Sequence, residues 1–259
     1  MVETQSDAWA KIFEELNINN HDFNAGPFLL SAVDIKRVTS TFGITNNSLT
    51  EPRILCKQDR RDDRPEVFQS KGLFILPTKN GYYAILKGDG YVDIPPITSD
   101  PIDYESKLSF TLETSNVGNS EMQYLDKAYA SSLIRTFMND PSLVLTIRGR
   151  KYTPPFRFKV GNQDLSAESV QTEVDAGYEG ENEVVLIEAK NTNTDNTIIR
   201  QLYYPFLQWQ QPTNKPVKTL FFEHGQNSDL YNFWEFEFTD PNDYLSIRLK
   251  RSARYRLLQ

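Results

Sequence analysis

The chain of 259 residues is long enough for one large domain or two ordinary ones, and its 39% hydrophobic and 12% aromatic content fills a sizeable core, which excludes wholesale disorder. A net charge of −7 excludes a protein whose whole surface grips nucleic acid, but not a localised basic face. No apolar run approaches the ~18 residues of a membrane span, the opening MVETQSDAWA lacks a basic stretch followed by an apolar one, and the lone Cys56 has no partner for a disulfide or a zinc site; together these predict a reducing cytoplasm and no membrane partner.

In chain order, residues 6–16 carry Trp9, Ile12, Phe13 and Leu16 at helical spacing. Ser31 with Asp34 predicts a capping box for a second helix bearing Val33, Ile35 and Val38. GLFILPTKNGYYAILKG predicts a β-hairpin about Asn80-Gly81, the pair that a tight primed turn prefers. Two helices and a hairpin suggest a winged-helix-like α+β region over residues 1–100, while the Pro-, Asp- and Ser-rich stretch 89–106 predicts a linker. Ser120 with Gln123 predicts a capped helix through EMQYLDKAYASSLIRTFM. Strands are expected at about 143–148, 155–160, 169–176 and 183–190, then a helix in TIIRQLYYPFLQWQ bent at Pro205, then strands in KTLFFEH and NFWEFEFTD. This order predicts an α/β domain with a mixed central sheet flanked by helices over residues 101–259.

The stretch 170–191 carries the chemistry. Val184 to Ile187 form a continuous apolar run, as in a strand covered on both faces, which ends abruptly in Glu188-Ala189-Lys190. Alternation points Glu188 and Lys190 to one face. In the preceding strand Glu173 and Asp175 share a face, and Val174 and Ala176 take the other. Paired through a turn at Gly177–Asn182, the two strands bring three carboxylates and an ammonium together. Such a cluster is costly without a counter-charge. Magnesium suits it: Asp175 and Glu188 supply oxygen ligands, and Lys190 orients or deprotonates a water or neutralises charge building on a phosphate.

Asp175, twelve intervening residues, then Glu188-x-Lys190 resembles the PD-(D/E)xK nuclease superfamily, which includes most type II restriction endonucleases. Val174 stands where that superfamily usually has proline. The phrases SEMQYLDKAYASSLI, EVDAGYEG, IEAKN and RQLYYPF also resemble type II restriction enzymes over roughly residues 50–255. The resemblance implies a restriction-endonuclease-like αβββαβ core, a Mg2+ cofactor and hydrolysis of double-stranded DNA at a specific sequence. It implies a metal-site role for Glu121 on the preceding helix, where complementing the helix dipole is the alternative. It also implies a place beside the site for Gln201, with Tyr204 either there or in the core. Glu173 is a supporting carboxylate or a solvated neighbour.

Each residue also has a plainer reading. A strand-end salt bridge would account for Glu188 and Lys190, and the alternating charges of KQDRRDDRPE predict a solvated loop. His21 and His224 have no metal-ligand spacing, and no Gly-rich phosphate loop or GxSxG element is present. The runs IRGRKYTPPFRFK and RLKRSARYR are the densest in basic residues, so Arg148, Arg150, Lys151, Arg157 and Lys159 are DNA-backbone candidates, expected beside the catalytic strands. Arg200 is a phosphate contact or an ordinary surface arginine. The expectation is a homodimeric, Mg2+-dependent type II endonuclease of a bacterial or archaeal cytoplasm, its N-terminal region helping to read the target and a cognate DNA methyltransferase encoded nearby. The rivals are a repair or recombination nuclease of the same fold and a non-catalytic DNA-binding module.

Overall fold

A computed structural model describes residues 2–191, 193–225 and 229–258. The N-terminal region opens with α1 (Gln5–Glu15), capped by Thr4, which accepts a hydrogen bond from the Asp7 amide and is bonded in return by the Asp7 carboxylate. β1 (Phe28–Ser31) leads into α2 (Ala32–Thr39), and Ser31 with Asp34 forms the expected capping box. The short helices α3 (Asn47–Thr50), α4 (Pro52–Leu55) and α5 (Glu66–Lys71) follow. β2 (Leu73–Lys79) and β3 (Tyr82–Lys87) form the hairpin about Asn80-Gly81, with Gly81 at φ +78°. β1 joins the far side of β3, giving a three-stranded sheet in the order β1-β3-β2.

One face of that small sheet, with Leu73, Ile75 and Ile85, packs on Trp9, Phe13 and Phe68 in an N-terminal core. The other face, with Phe74, Leu76, Ala84 and Leu86, packs into the core of the remaining chain. The hairpin is therefore a wall shared by two cores, not the end of a detached unit.

The expected linker is instead structured. β4 (Tyr91–Asp93) and β5 (Ile102–Glu105) lie within it, and Tyr91, Ile94, Ile97 and Tyr104 are buried. Its prolines and acids mark the bends, while four apolar side chains spaced between them dock the segment.

The helix after Ser120 is broken in two: α6 (Glu121–Ala130) and α7 (Leu133–Met138), with Ser132 at φ +67° between them. The strands are β6 (Val144–Tyr152), β7 (Phe156–Val160), β8 (Gln163–Ala167), β9 (Gln171–Glu179), β10 (Val184–Lys190) and β11 (Asn196–Ile198). α8 (Arg200–Gln210), with Pro205 inside it, precedes β12 (Val217–His224), β13 (Leu230–Phe238) and β14 (Ile247–Leu258). Among the described residues the main sheet has seven strands in the order β5-β14-β13-β12-β10-β9-β6. β6, β9 and β10 form an antiparallel meander, and β12 lies parallel to β10 after the α8 crossover. β7 and β8 pair outside this sheet, and β11 pairs with β4.

The fold is thus mixed α/β, with helices on both faces of a mixed sheet. α8 covers one face with Val184, Leu186, Phe221 and Trp234, and α6 and α7 cover the other with Val185, Ile187, Leu220 and Phe222. No helix among the described residues is long and apolar enough to cross a membrane.

Candidate functional site

The site begins where two strands part. β9 and β10 pair from Glu179↔Val184 to Ala176↔Ile187 and no further, although β10 continues beside β12 to Lys190. At the opening, the Asp175 carboxylate accepts a hydrogen bond of 2.7 Å from the Ala189 amide. The side chain thus takes the place of the missing ladder carbonyl and satisfies a donor that would otherwise be orphaned.

The fork lies in the irregular register of β6 against β9, where Gly149 has φ +84°. Between Ile147↔Gly177 and Gly149↔Val174, three steps along β9 oppose two along β6, and the extra residue overturns the expected alternation of β9. Val174 packs in the core beneath α8, whereas Ala176 packs beneath α6 and α7, so Asp175 lies at the switch between faces. The predicted turn also moves: Gly177 is within β9, where a Cβ would stand 2.7 Å from the Ile147 side chain, and the chain reverses at Gly180–Glu183.

On β10, Ala189 packs into the core while Glu188 and Lys190 form an ion pair. The Glu188 side chain is only 10% exposed and that of Lys190 24%. The Lys190 ammonium also donates to the Ala189 carbonyl at 3.2 Å. Burial pushes Glu188 up to about 7, against the pull of Lys190, and the Asp175 and Asp59 charges push the same way as burial. Burial also raises Asp175, opposed by the Ala189 amide and Lys190. For Lys190 burial favours the neutral amine, but the charges of Glu188, Asp175 and Glu121 outweigh it and keep the ammonium. Lys190 therefore serves both carboxylates, with Arg148, itself bonded to Asp126, acting on Asp175 through its charge alone.

The surrounding residues divide. Glu121 opens α6 behind its cap Ser120, and its charge acts on Lys190. Gln201 sits in the first turn of α8, where its carbonyl accepts a hydrogen bond of 2.5 Å from Thr197. Gln201, Glu173 and Glu188 line one cavity of about 10 Å³, too small for more than a water. Glu173 itself is exposed and bound to Arg150 at 3.0 Å, so it borders the buried trio and is not one of its members. Tyr204 is a core residue whose hydroxyl donates to the Pro77 carbonyl at 2.9 Å, tying α8 to the N-terminal hairpin.

The basic candidates also separate. Arg148, Arg150 and Lys151 lie on β6 beside β9; Arg148 is bonded to Asp126 of α6, and Lys151 stands over the Trp209 ring. Arg157 and Lys159 are exposed on β7, outside the main sheet and away from the expected place beside the catalytic strands. Arg200 is not a surface arginine: its guanidinium lies 3.5 Å from Asp59 with 22% of the side chain exposed. The run 248–256 is the edge-ward strand β14, and Arg248, Lys250, Arg251 and Arg256 all have carboxylate partners on neighbouring strands or turns.

Asp59 is the residue that sequence reasoning missed. It stands in an alternating charge run, and nothing local distinguishes it from its neighbours; only the tertiary fold brings it to α8.

With this geometry in view, the chain belongs to the family described as a domain of unknown function, DUF6997, whose model matches residues 86–256. A second domain of unknown function, DUF6996, matches residues 6–85. No curated protein and no solved structure matches the chain.

Among the described residues no group of three or more His, Cys, Asp or Glu side chains is gathered closely enough to hold a metal by protein ligands alone. Magnesium asks for less, since one or two carboxylates with waters and a substrate phosphate complete its shell. Asp175 and Glu188 fit that demand, being hard oxygen donors in a buried site with surplus negative charge.

Proposed function

We propose that the chain is a Mg2+-dependent deoxyribonuclease that cuts double-stranded DNA, with a PD-(D/E)xK centre at Asp175, Glu188 and Lys190 and the habits of a type II restriction endonuclease. The observation that carries this reading is the fork. A sheet parts at one point, and that point holds two buried carboxylates, one of which replaces a ladder acceptor, beside a single lysine. A purely structural salt bridge has no need of the second carboxylate. The order α6–β6–β9–β10–α8–β12 supports the same reading, because an antiparallel meander followed by a helical crossover to a parallel strand is the αβββαβ arrangement.

Bound magnesium would supply charge neutralisation at the phosphodiester and a more acidic water. Asp175 and Glu188 would hold it. Lys190, kept as an ammonium by its carboxylates, donates to a phosphate oxygen or to the attacking water and stabilises the charge that builds there. Gln201, held by Thr197, steadies the far side of Glu188. Glu121 extends the negative rim from α6.

The N-terminal region would read the duplex. Its element order, helix, strand, helices and hairpin with the sheet order β1-β3-β2, is the winged-helix arrangement, which favours sequence reading over the repair rival. Two cuts on a duplex need two centres, so the active form would be a homodimer, and a cognate methyltransferase would protect the host DNA.

The test is incubation of unmodified and methylated plasmid with Mg2+ or with EDTA. Discrete bands in Mg2+ alone are expected, with ends that map to one sequence. Absence of cleavage in both Mg2+ and Mn2+ would favour the non-catalytic module.

A further inference from the structure

The segment 57–61 belongs by position to the N-terminal region, yet it is bonded to the part of the chain that follows the catalytic lysine. The Asp59 carbonyl accepts from the Ile198 amide at 2.8 Å, and the Arg61 amide donates to the Asn196 side chain at 2.8 Å. The Asp59 carboxylate meets the half-buried Arg200 at 3.5 Å through one oxygen and the exposed Lys57 at 3.4 Å through the other. Tyr91 donates to the Gln58 carbonyl at 2.9 Å, and Arg61 is bound to Asp89 at 2.9 Å.

These contacts bracket β11 and the first residue of α8. The next two links are already described: Thr197 on β11 holds Gln201, and Gln201 lines the cavity behind Glu188. Asp59 is thus three residue contacts from a catalytic carboxylate, on which its charge also acts directly, across the boundary between two regions with separate cores.

A second observation marks the same segment. The Gln58 side chain is 1% exposed, and neither of its polar atoms has a hydrogen-bond partner. Burying an unsatisfied amide is destabilising. A docked segment that carries such a cost is held in place by its remaining contacts, and Asp59 and Arg61 supply the charged ones.

We propose that Asp59 is a positioning residue that couples the N-terminal region to the catalytic strand, by fixing the β11–α8 corner on which Gln201 is carried against Glu188. The proposal rests on the nuclease reading for its functional consequence, and on the Asp59–Arg200, Asp59–Ile198 and Thr197–Gln201 contacts for its geometry. Arg200 is its partner in the coupling, not a phosphate contact. Engagement of DNA by the N-terminal region would then reach the centre through this corner. Such coupling must show itself as non-additivity, since mere adjacency does not establish it.

The experiment compares the full-length wild type with D59N, R200Q and the double variant D59N/R200Q. Cleavage of plasmid in Mg2+ is followed under steady-state conditions, and amide hydrogen exchange of residues 188–204 is followed without DNA. D59N is expected to lower kcat about 10–100-fold, the range for loss of a side chain that orients a metal ligand. KM should stay within about twofold, because Asp59 does not touch DNA. The double variant should lose no more than either single one, and exchange over 196–204 should quicken in all three. A merely stabilising Asp59 would move the unfolding midpoint and leave kcat intact below it, which would overturn the proposal, as would additive losses in the double variant. A wild type that cleaves nothing sinks the nuclease reading instead. In that event unchanged exchange over 188–204 in D59N overturns the coupling, and quickened exchange upholds it as a structural link.

Discussion

Two buried carboxylates lie in the same sheet, on β10 and β13, and they are provided for in opposite ways. Glu235, whose side chain is 2% exposed, accepts from Lys250 at 3.0 Å and from Arg251 at 2.6 Å. Burial opposes its charge, but the two cations prevail and its pKa falls below the ordinary value. Glu188 is also buried, yet it shares one lysine with Asp175 and rises to about 7. The ingredients are alike and the provision differs: two cations bind one carboxylate on β13–β14, whereas at the fork Lys190 alone is bonded to Glu188 and also serves Asp175, which Arg148 reaches only through its charge. A balanced pair needs nothing more and belongs to the fold. An unbalanced one is held at the expense of stability, and such sites are where function concentrates. The β13–β14 ladder is therefore the internal control for the fork.

The largest effect should separate the two in opposite directions. On the nuclease reading, E188Q takes the charge and one oxygen from a metal ligand without changing volume, and should lower plasmid cleavage by about 10³-fold, as should D175N. Circular dichroism and the unfolding midpoint should stay near the wild-type values. E235Q should do the reverse, leaving cleavage within about twofold while costing roughly 2 kcal/mol of stability through two charged hydrogen bonds lost. K190M should lose cleavage but retain DNA binding, since one lysine is a small share of the phosphate contacts. If E235Q abolished cleavage, or E188Q retained it, the division between fork and ladder would collapse.

The next effect is the linkage of the fork to pH and to divalent cations. The folded-state pKa of Glu188 is raised, so its contribution to stability is fully present below the ordinary value of 4.5 and is lost as pH rises through about 7. A divalent cation held as proposed would bind the ionised carboxylate and offset that loss. Calcium, which usually supports little hydrolysis in such sites, should therefore stabilise the protein strongly at pH 8 and weakly at pH 5. At a hundredfold excess over Kd the gain is about 3 kcal/mol, or about 5–10 °C in Tm for a chain of this length. Calcium should also tighten DNA binding relative to EDTA at matched ionic strength, because uncovered carboxylates repel the duplex. E188Q should lose the calcium shift and E235Q should keep it. A shift of equal size at pH 5 and pH 8 would mean that the cation binds elsewhere.

How much of this contrast is legible in the sequence depends on how far apart the partners are. The capping box at Ser31, the N-cap at Ser120, the Asn80-Gly81 hairpin and the apolar run before Glu188 are local signals, and the structure forms those elements close to the expected residues, although the Gln123 side chain turns to the Thr114 and Val117 carbonyls and does not close a box with Ser120. Glu188 and Lys190 on one side with Ala189 on the other follows from strand alternation alone. The rest needs long-range pairing. β4 forms against β11, about a hundred residues later, and β5 forms beside β14 at the far end of the chain, so both read as linker. The basic run 248–256 looks like a DNA-binding strip until β13 is placed beside it with Glu235 and Glu237. The displaced face of Val174 arises from an extra residue in β9 between Gly177 and Val174, visible only once β9 is paired with β6 and not in the alternation of its own sequence. Asp59 depends on the docking of two cores and carries no local mark.

The smallest effect concerns two exposed ion pairs that look the same, and it sharpens the contrast furthest. Arg150 binds Glu173 at 3.0 Å at the border of the fork, and Arg248 binds Glu237 at 2.6 Å on the ladder. Arg150, Glu173 and Arg248 are more than half exposed and Glu237 about a third, and pairs so open to water contribute little, so R150A and R248A should each change stability by about 0.5 kcal/mol or less. Their effects on DNA should differ. Arg150 lies on β6, beside the strand that carries Asp175, where a phosphate bound at the fork would pass. There a duplex phosphate can take the place of Glu173 as its partner. R150A should weaken DNA binding a few-fold and reduce the slope of log K against log salt by about one, as loss of a single phosphate contact does. E173Q should strengthen binding, because it frees the arginine and removes a repelling charge. R248A should change neither affinity nor slope, since the ladder is expected to face away from the substrate. The measurement is a fluorescence-anisotropy titration in calcium at three or more salt concentrations, for all three variants. Equal slopes for R150A and the wild type would remove β6 from the DNA face, and the basic residues of β7, Arg157 and Lys159, would be the next to test.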